Sequence, residues 1–282
     1  MKYAIVADSS CDMNFTNNNE NNTYMARVPL KLRVGDVEYA DDADLDVASF
    51  MKEMKAFQGV TGSAAPSPQE WYNEFKKADM TFAVTITSRL SGSYSSAVAA
   101  KDMILEKYPE KKIHIVDSKA AGPGLTLIVK KIQQLIQEDK SFEEIVKEIT
   151  EYTKKVKVFF ILESMDNLIK NGRVNAIAGK LAGILGIKIL GKASDKGTIE
   201  LVRKARGKDT IYKKTVEDIL NNKYNGGKIM VSHCFNKEKA NMMIDMIKEK
   251  FSDIESEIVT TGGLCSYYAE EKGLIIAFET EN

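Results

Sequence analysis

The chain has little of what most enzyme chemistry uses. Its 282 residues include two histidines, three cysteines and one tryptophan. His114 and His233 are few general bases, and the turn at Leu90–Ser93 lacks the G-x-S-x-G elbow that a serine nucleophile would occupy. Cys11, Cys234 and Cys265 are odd in number and far apart, so neither a disulfide framework nor a zinc site is suggested. Net charge is also missing: Lys+Arg and Asp+Glu are 40 each. That removes the general electrostatic case for nucleic acid or for a polybasic membrane anchor. No apolar run approaches the ~20 residues of a membrane helix. The first apolar stretch breaks at Asp8, short of a signal-peptide core. No nucleic acid partner and no integral membrane association are expected, and the expected location is cytoplasmic. The segment AAGPG (Ala120–Gly124) is neither G-x-G-x-x-G nor a Walker loop. Asp41, Asp42, Asp44 and Asp46 lack the glycine offset and closing glutamate of a calcium loop and read as a solvated run. No metal ligand and no catalytic residue are assigned.

What is present is a regular alternation. Tyr3–Ala7, Val28–Val34, Thr81–Ile86 and Ile113–Val116 read as strands. Helical spacing runs over Val47–Phe57, from Ser67-Pro68 onward, around Ala97–Lys107 and over Leu125–Gln137. Ser67 suits an N-cap with Pro68 at the first helical position, after a loop VTGSAAPSP. Strands alternating with helices predict a parallel sheet. After Tyr152 the pattern changes. Strands are expected at Val156–Leu162, Thr198–Arg203, Lys228–Ser232, Glu255–Thr260 and Leu274–Glu279, with helices at Thr210–Leu220 and Lys237–Phe251. A helix-rich, glycine-studded stretch is expected over Met165–Leu190. The run AIAGKLAGILGIKILG within it reads as a tightly packed helix or as one wall of a long apolar tunnel. The expected fold class is α/β, with a boundary near Lys154-Lys155: an N-terminal domain over residues 1–154 and a C-terminal domain over 155–282.

Three strand ends in the first half carry small polar residues: Asp8-Ser9-Ser10, Ser88 to Ser93, and Asp117-Ser118. The loop at Ser63 can join them. Strand ends of open α/β sheets are where ligands bind, and hydroxyls with backbone N–H groups at a helix start suit a carboxylate or phosphate without a lysine. Gly92 would let the backbone approach closely. Each serine has an alternative use as a cap or turn former.

The order and spacing of short segments, VADSSCD, TGSAAPSP, TSRLSGSYSSA, IVDSKAAGPG, NLIKNGRV, KARG, VSHC and GLIIAFE, resemble the DegV family of fatty-acid-binding proteins along nearly the whole chain. The resemblance implies a parallel-sheet α/β domain followed by an α/β domain with a mostly antiparallel sheet. It implies a bound long-chain fatty acid as ligand, no other cofactor, and a separate ATP-dependent fatty acid kinase as partner. In the family the tail lies in an apolar tunnel and the carboxylate on serine and threonine hydroxyls. The matching carboxylate positions are Ser63, Ser91, Gly92 and Ser93, with Thr61 a second candidate. Arg173 and Arg206 match residues expected to face the partner. Where many members have H-x-G-P-G, this chain has Tyr268 at the histidine and Glu270-Glu271 after it. A tyrosine hydroxyl can donate to a carboxylate but cannot carry histidine's charge. The rival expectations are a regulatory or protein-interaction module with a vestigial pocket, and an enzyme acting on a small acidic substrate.

Overall fold

The computed structural model describes residues 2–13, 15, 23–174 and 186–281. Four parallel strands form the first sheet: β1 (Tyr3–Asp8), β2 (Thr23–Val28), β6 (Met80–Thr85) and β7 (Lys112–Asp117), in the order β2-β1-β6-β7. Strand order reverses between β1 and β6, so the crevice beyond their C-terminal ends is the topological switch point. Ala4, Val6 and Ala83 face one side with Trp71 and Phe75 of α2 (Pro68–Phe75) and Ala97, Ala100 and Ile104 of α3 (Ser93–Lys107). Helix α2 starts as expected: Ser67 and Glu70 form a reciprocal capping box and Pro68 opens the first turn.

A second sheet is small and antiparallel. It orders β4 (Val37–Ala40), β3 (Lys31–Val34) and β5 (Thr61–Ala64), and α1 (Val47–Ala56) packs on it. Two sequence readings are corrected here. Val28–Val34 is not one strand: Pro29 cannot donate to a ladder, and β2 ends before it while β3 begins after it in another sheet. The loop VTGSAAPSP contains β5, whose Ser63 pairs with Leu32.

The third sheet is mixed and mostly antiparallel, in the order β10-β9-β8-β13-β11-β12. Its strands are β8 (Val156–Leu162), β9 (Ile187–Ala193), β10 (Ile199–Arg206), β11 (Ile229–His233), β12 (Ser256–Thr260) and β13 (Leu274–Glu279). Only β11 and β12 run parallel. One face takes Phe159, Ile161, Ile276 and Phe278 against α7 (Thr210–Asn221) and α8 (Lys237–Lys248). The other face takes Val158, Phe160, Leu162, Ile275 and Ala277 toward the first sheet. The protein is thus α/β, with a parallel sheet first and a mixed, mostly antiparallel sheet after it.

Helix α4 (Pro123–Gln137) joins the two. It packs on β1 and β6 of one sheet and on β8, β11 and β13 of the other. A helix apolar nearly all round is a buried helix, and ten of its residues from Pro123 to Ile136 are buried. Gly124 sets the approach to β8: a Cβ there would lie 2.8 Å from a methyl of Val158 and 2.7 Å from Ala120. α5 (Phe142–Lys155) runs directly into β8.

The expected helix over Met165–Leu190 is short. α6 covers Asp166–Lys170, Gly172 follows with φ +67°, and Ile187–Leu190 belong to β9. The rest of AIAGKLAGILG, residues 176–185, lies outside the described residues, as does most of the polar run at 14–22. Among the described residues no helix is long and apolar enough to cross a membrane.

Candidate ligand-binding site

The polar strand ends are first of all knots. Asp8, fully buried at the end of β1, accepts four hydrogen bonds: from Ser10 N (3.2 Å), Ser10 Oγ (2.5 Å), Ile86 N (2.8 Å) and Ser93 Oγ (2.6 Å). Burial still pushes its carboxyl above the ordinary value. Ser9 Oγ accepts from Leu30 N at 2.9 Å. Asp117 accepts from Ser88 N and Ser88 Oγ at 3.0 and 2.6 Å. These bonds hold the loops to one another; Asp8, Ser9, Ser10 and Ser93 are buried, while the Ser88–Asp117 pair lies nearer the surface.

What the knots present is a cleft with an empty volume of ≈ 970 Å³, open solvent at its mouth included. Its polar positions are Ser63, Ser91, Gly92 and Tyr268, together with Thr87, Lys119, Arg173 and Thr198. Tyr268 OH and Ser63 Oγ are 2.8 Å apart. Ala65, two residues past Ser63, is beside Gly92, where an added Cβ would lie 3.6 Å from the Ala65 methyl. Ser91 Oγ accepts from Ser93 N at 3.2 Å, which leaves its own O–H to donate outward. Gly92 is the N-cap of α3 and carries no side-chain cap, so backbone N–H groups at that helix start are open to an acceptor. The remaining lining is mostly apolar and includes Ile86, Val158, Phe160, Leu162, Leu168 and Ile275. Thr87 donates to the carbonyl of Gly197 at 2.9 Å, pinning the β9–β10 turn over the cleft.

The expected site residues divide. Ser63, Ser91, Gly92, Tyr268 and Arg173 line the cleft. Ser93 is buried and bonded to Asp8. Thr61 Oγ1 lies 2.9 Å from Tyr267 OH, and that hydroxyl also accepts from Asn171 Nδ2 at 2.8 Å. Arg206 is exposed at the end of β10 and does not line the cleft.

Tyr268 reaches the cleft because of α9 (Gly263–Ala269), which has no side-chain cap of its own. Asp12 Oδ1 accepts from Gly262 N at 2.8 Å, and Asp41 accepts from Gly263 N at 2.8 Å and Leu264 N at 3.0 Å. Both carboxylates come from the first half of the chain. Asp41 was expected in a solvated run, yet it is 1% exposed. Nothing local marked it; its partners are more than two hundred residues away. Burial raises Asp41 above its ordinary value and pushes Asp12 up to about 6. Asp12 Oδ2 and Ser232 Oγ are both buried without a hydrogen-bond partner.

His114 lies within β7, opposite Phe82, and burial lowers its pKa. His233 is buried at the end of β11, where its carbonyl accepts from Thr261 N. The site is thus an apolar slot with a hydroxyl-lined end, a form suited to an amphiphile with a small anionic head.

The fold and its slot are those of an α/β protein with a parallel and a mostly antiparallel sheet, and comparison places it. Residues 2–281 match the family model described as "Uncharacterised protein, DegV family". A DegV domain-containing protein of Streptococcus gordonii is 41% identical over 279 residues, 99% of each chain. The chain belongs to the DegV family. Among solved structures, the Streptococcus pneumoniae Fatty Acid Kinase (Fak) B3 protein loaded with linoleic acid is 40% identical, with a TM-score of 0.97 over 100% of both chains. A DegV family protein from Eubacterium eligens loaded with heptadecanoic acid is 36% identical, with a TM-score of 0.94 over 99% of this chain and 100% of that one.

Proposed function

We propose that this protein is a carrier that binds a long-chain fatty acid, holds the carboxylate on hydroxyl and backbone donors, and presents it to a separate fatty acid kinase. The observation that carries the reading is the polarity of the cleft. Ser63, Ser91, Gly92 and Tyr268 cluster hydroxyl and backbone donors, Lys119 and Arg173 also line the cleft, and apolar side chains supply most of the rest. Each buried CH₂ contributes ~0.8 kcal/mol, so a palmitoyl-length tail offers roughly 10 kcal/mol before the costs of ordering. The head group then needs few donors. Ser93 and Thr61 support the site from behind, through Asp8 and Tyr267. The two relatives of known structure, described as loaded with linoleic and heptadecanoic acid, favour the same ligand class.

The kinase partnership rests on likeness to the Fak B3 protein. Arg173, at the cleft, and Arg206, exposed, are the residues proposed to face that partner. In this reading the chain supplies no chemistry of its own. Neither histidine stands as a base at the hydroxyl cluster: one is mid-strand and the other packed.

Native mass spectrometry of the purified protein, then denaturing extraction and lipid analysis, tests the reading. A long-chain fatty acid in one-to-one ratio is expected, with no phosphate released from ATP by the protein alone. A protein that carries no lipid and takes up neither palmitate nor oleate would sink it.

A further inference from the structure

One apolar residue in the cleft owes its position to a glycine. Phe160 on β8 and Gly191 on β9 are directly opposed in the antiparallel ladder, so they share the sheet face that looks into the cleft. Phe160 lines that cleft and is 9% exposed. Its ring is laid across β9 rather than standing off the sheet. A Cβ built on Gly191 would collide with Cζ and Cε2 of the ring. The opposed residue on β10 is Leu201, and a ladder irregularity falls between Leu201 and Arg203. The glycine has no unusual φ to satisfy. Its physical role is therefore close approach of a neighbour.

From this we infer that the Phe160–Gly191 pair is the acyl-chain selectivity element of the cleft. The inference rests on the carrier reading and deepens it. With no side chain at 191 the ring lies flat, and the cross-section between β8 and the loops at Ile86 and Ala120 stays open to long chains. Any side chain at 191 turns the ring edge into the slot. Val158, Leu162 and Ile275 line the same wall, but they project from strands whose neighbours already carry side chains. Phe160 alone among these aromatic and aliphatic residues has a flat alternative made by a glycine beside it.

The experiment is a double-mutant cycle on the full chain, read as dissociation constants for dodecanoic, palmitic, stearic and linoleic acids. Gly191→Ala is expected to weaken stearic and linoleic acids by about tenfold or more, the scale on which an apolar pocket discriminates a methylene, and dodecanoic acid much less. Phe160→Ala is expected to shift the ranking toward the bulkier chains. In the Phe160→Ala background the Gly191→Ala change should have little effect, because no ring remains to be displaced. Phe160→Leu keeps most of the packing and serves where the alanine variant unfolds. A Cβ at 191 would also lie 3.0 Å from the carbonyl of Glu200. Melting temperatures of all variants therefore separate backbone crowding from the selectivity effect. If the unaltered protein binds none of the acids, the carrier reading falls and takes this inference with it. If it binds them and the variants keep its ranking, or the two substitutions act additively, only this inference is overturned.

Discussion

Ser91 and Ser93 stand two residues apart and have opposite fates, which is decided by whether a buried carboxylate is in reach. Ser93 Oγ is used by Asp8 at 2.6 Å, while Ser91 Oγ accepts a backbone N–H and keeps a free donor at the cleft. Ser91→Ala should therefore weaken fatty acid binding by roughly 1–2 kcal/mol, the scale of a hydrogen bond to a charged group. Isothermal titration against palmitate measures it, and an unchanged dissociation constant removes Ser91 from the site. A second residue effect lies beyond α9. Glu270 and Lys272, which stand at the glycines of the family's H-x-G-P-G, have φ of +55° and +69°. Glu270 is anchored there, since its carboxylate accepts from Ser164 Oγ at 2.9 Å and Asn167 N at 3.2 Å. The Lys272 side chain, among the described residues, has an exposed pairing with Glu163 at 4.0 Å, which contributes little, while its backbone N–H donates to the Cys234 carbonyl at 2.9 Å whatever the side chain. A left-handed backbone at a non-glycine residue costs about 1–2 kcal/mol, so Lys272→Gly should stabilise the protein by up to about 1 kcal/mol after the entropy of glycine is set against it. Differential scanning calorimetry should show a melting point about 2–4 °C higher.

Helix α9 is the element on which the cleft most depends, and it is held from outside. Asp41→Ala leaves Gly263 N and Leu264 N buried without an acceptor, a loss of about 2–4 kcal/mol. Because Tyr267 and Tyr268 ride on α9 and meet Thr61 and Ser63, fatty acid affinity should fall together with urea stability. Asp41→Asn keeps one acceptor oxygen and should recover part of both; loss of stability with unchanged affinity would uncouple α9 from the site. This dependence also explains which elements could be read from the sequence. Val47–Ala56, Pro68–Phe75 and Val156–Leu162 declare themselves through local signals: apolar spacing, a capping box, an apolar run. Of the cleft-lining residues, Ser91 and Gly92 stood out in a hydroxyl-rich turn at a strand end and Ser63 in a hydroxyl-rich segment read as a loop. β5 was not legible, since TGSA has one β-branched residue beside Gly, Ser and Ala, and it pairs because Leu32 and Val34 of β3 are in place. α9 was not, since GLCSYYA has its caps on Asp12 and Asp41, far away in the chain. Phe160 went unnoticed in VKVFFIL because both faces of β8 are buried, so the period of two that separates cleft from core is erased.

At the scale of the whole molecule, α4 and three buried acids tie the two large sheets into one body. A single core runs from Tyr3 and Ile5 through Leu125 and Ile132 to Val158, Phe160 and Ala277. Asp8, Asp12 and Asp41 lie at the join, all raised by burial. Asp12 is the one with an unpartnered oxygen, and after burial the main influences on it are Gly262 N, Ser232, Cys265 and the Asp41 carboxylate, none of them a cation. Its folded pKa of about 6 exceeds the ordinary 3.8, so the native state binds the proton more tightly than the unfolded chain does. The stability this contributes is fully present below about pH 4 and is lost as pH rises through about 6. His114 and His233 act in the opposite sense, since burial lowers both and acid charges them more readily in the unfolded chain. The total pH profile therefore mixes signs, and the difference between two proteins is the clean observable. Asp12→Asn mimics the protonated acid and keeps an oxygen for Gly262 N. It should exceed the parent in stability at pH 7.5, by on the order of 2–3 kcal/mol if the whole shift is realised. The gap should narrow as pH falls through 6 and close near pH 4. Urea unfolding of both proteins across that range measures it, and a gap that does not change with pH would mean that Asp12 carries its charge in the fold at no penalty.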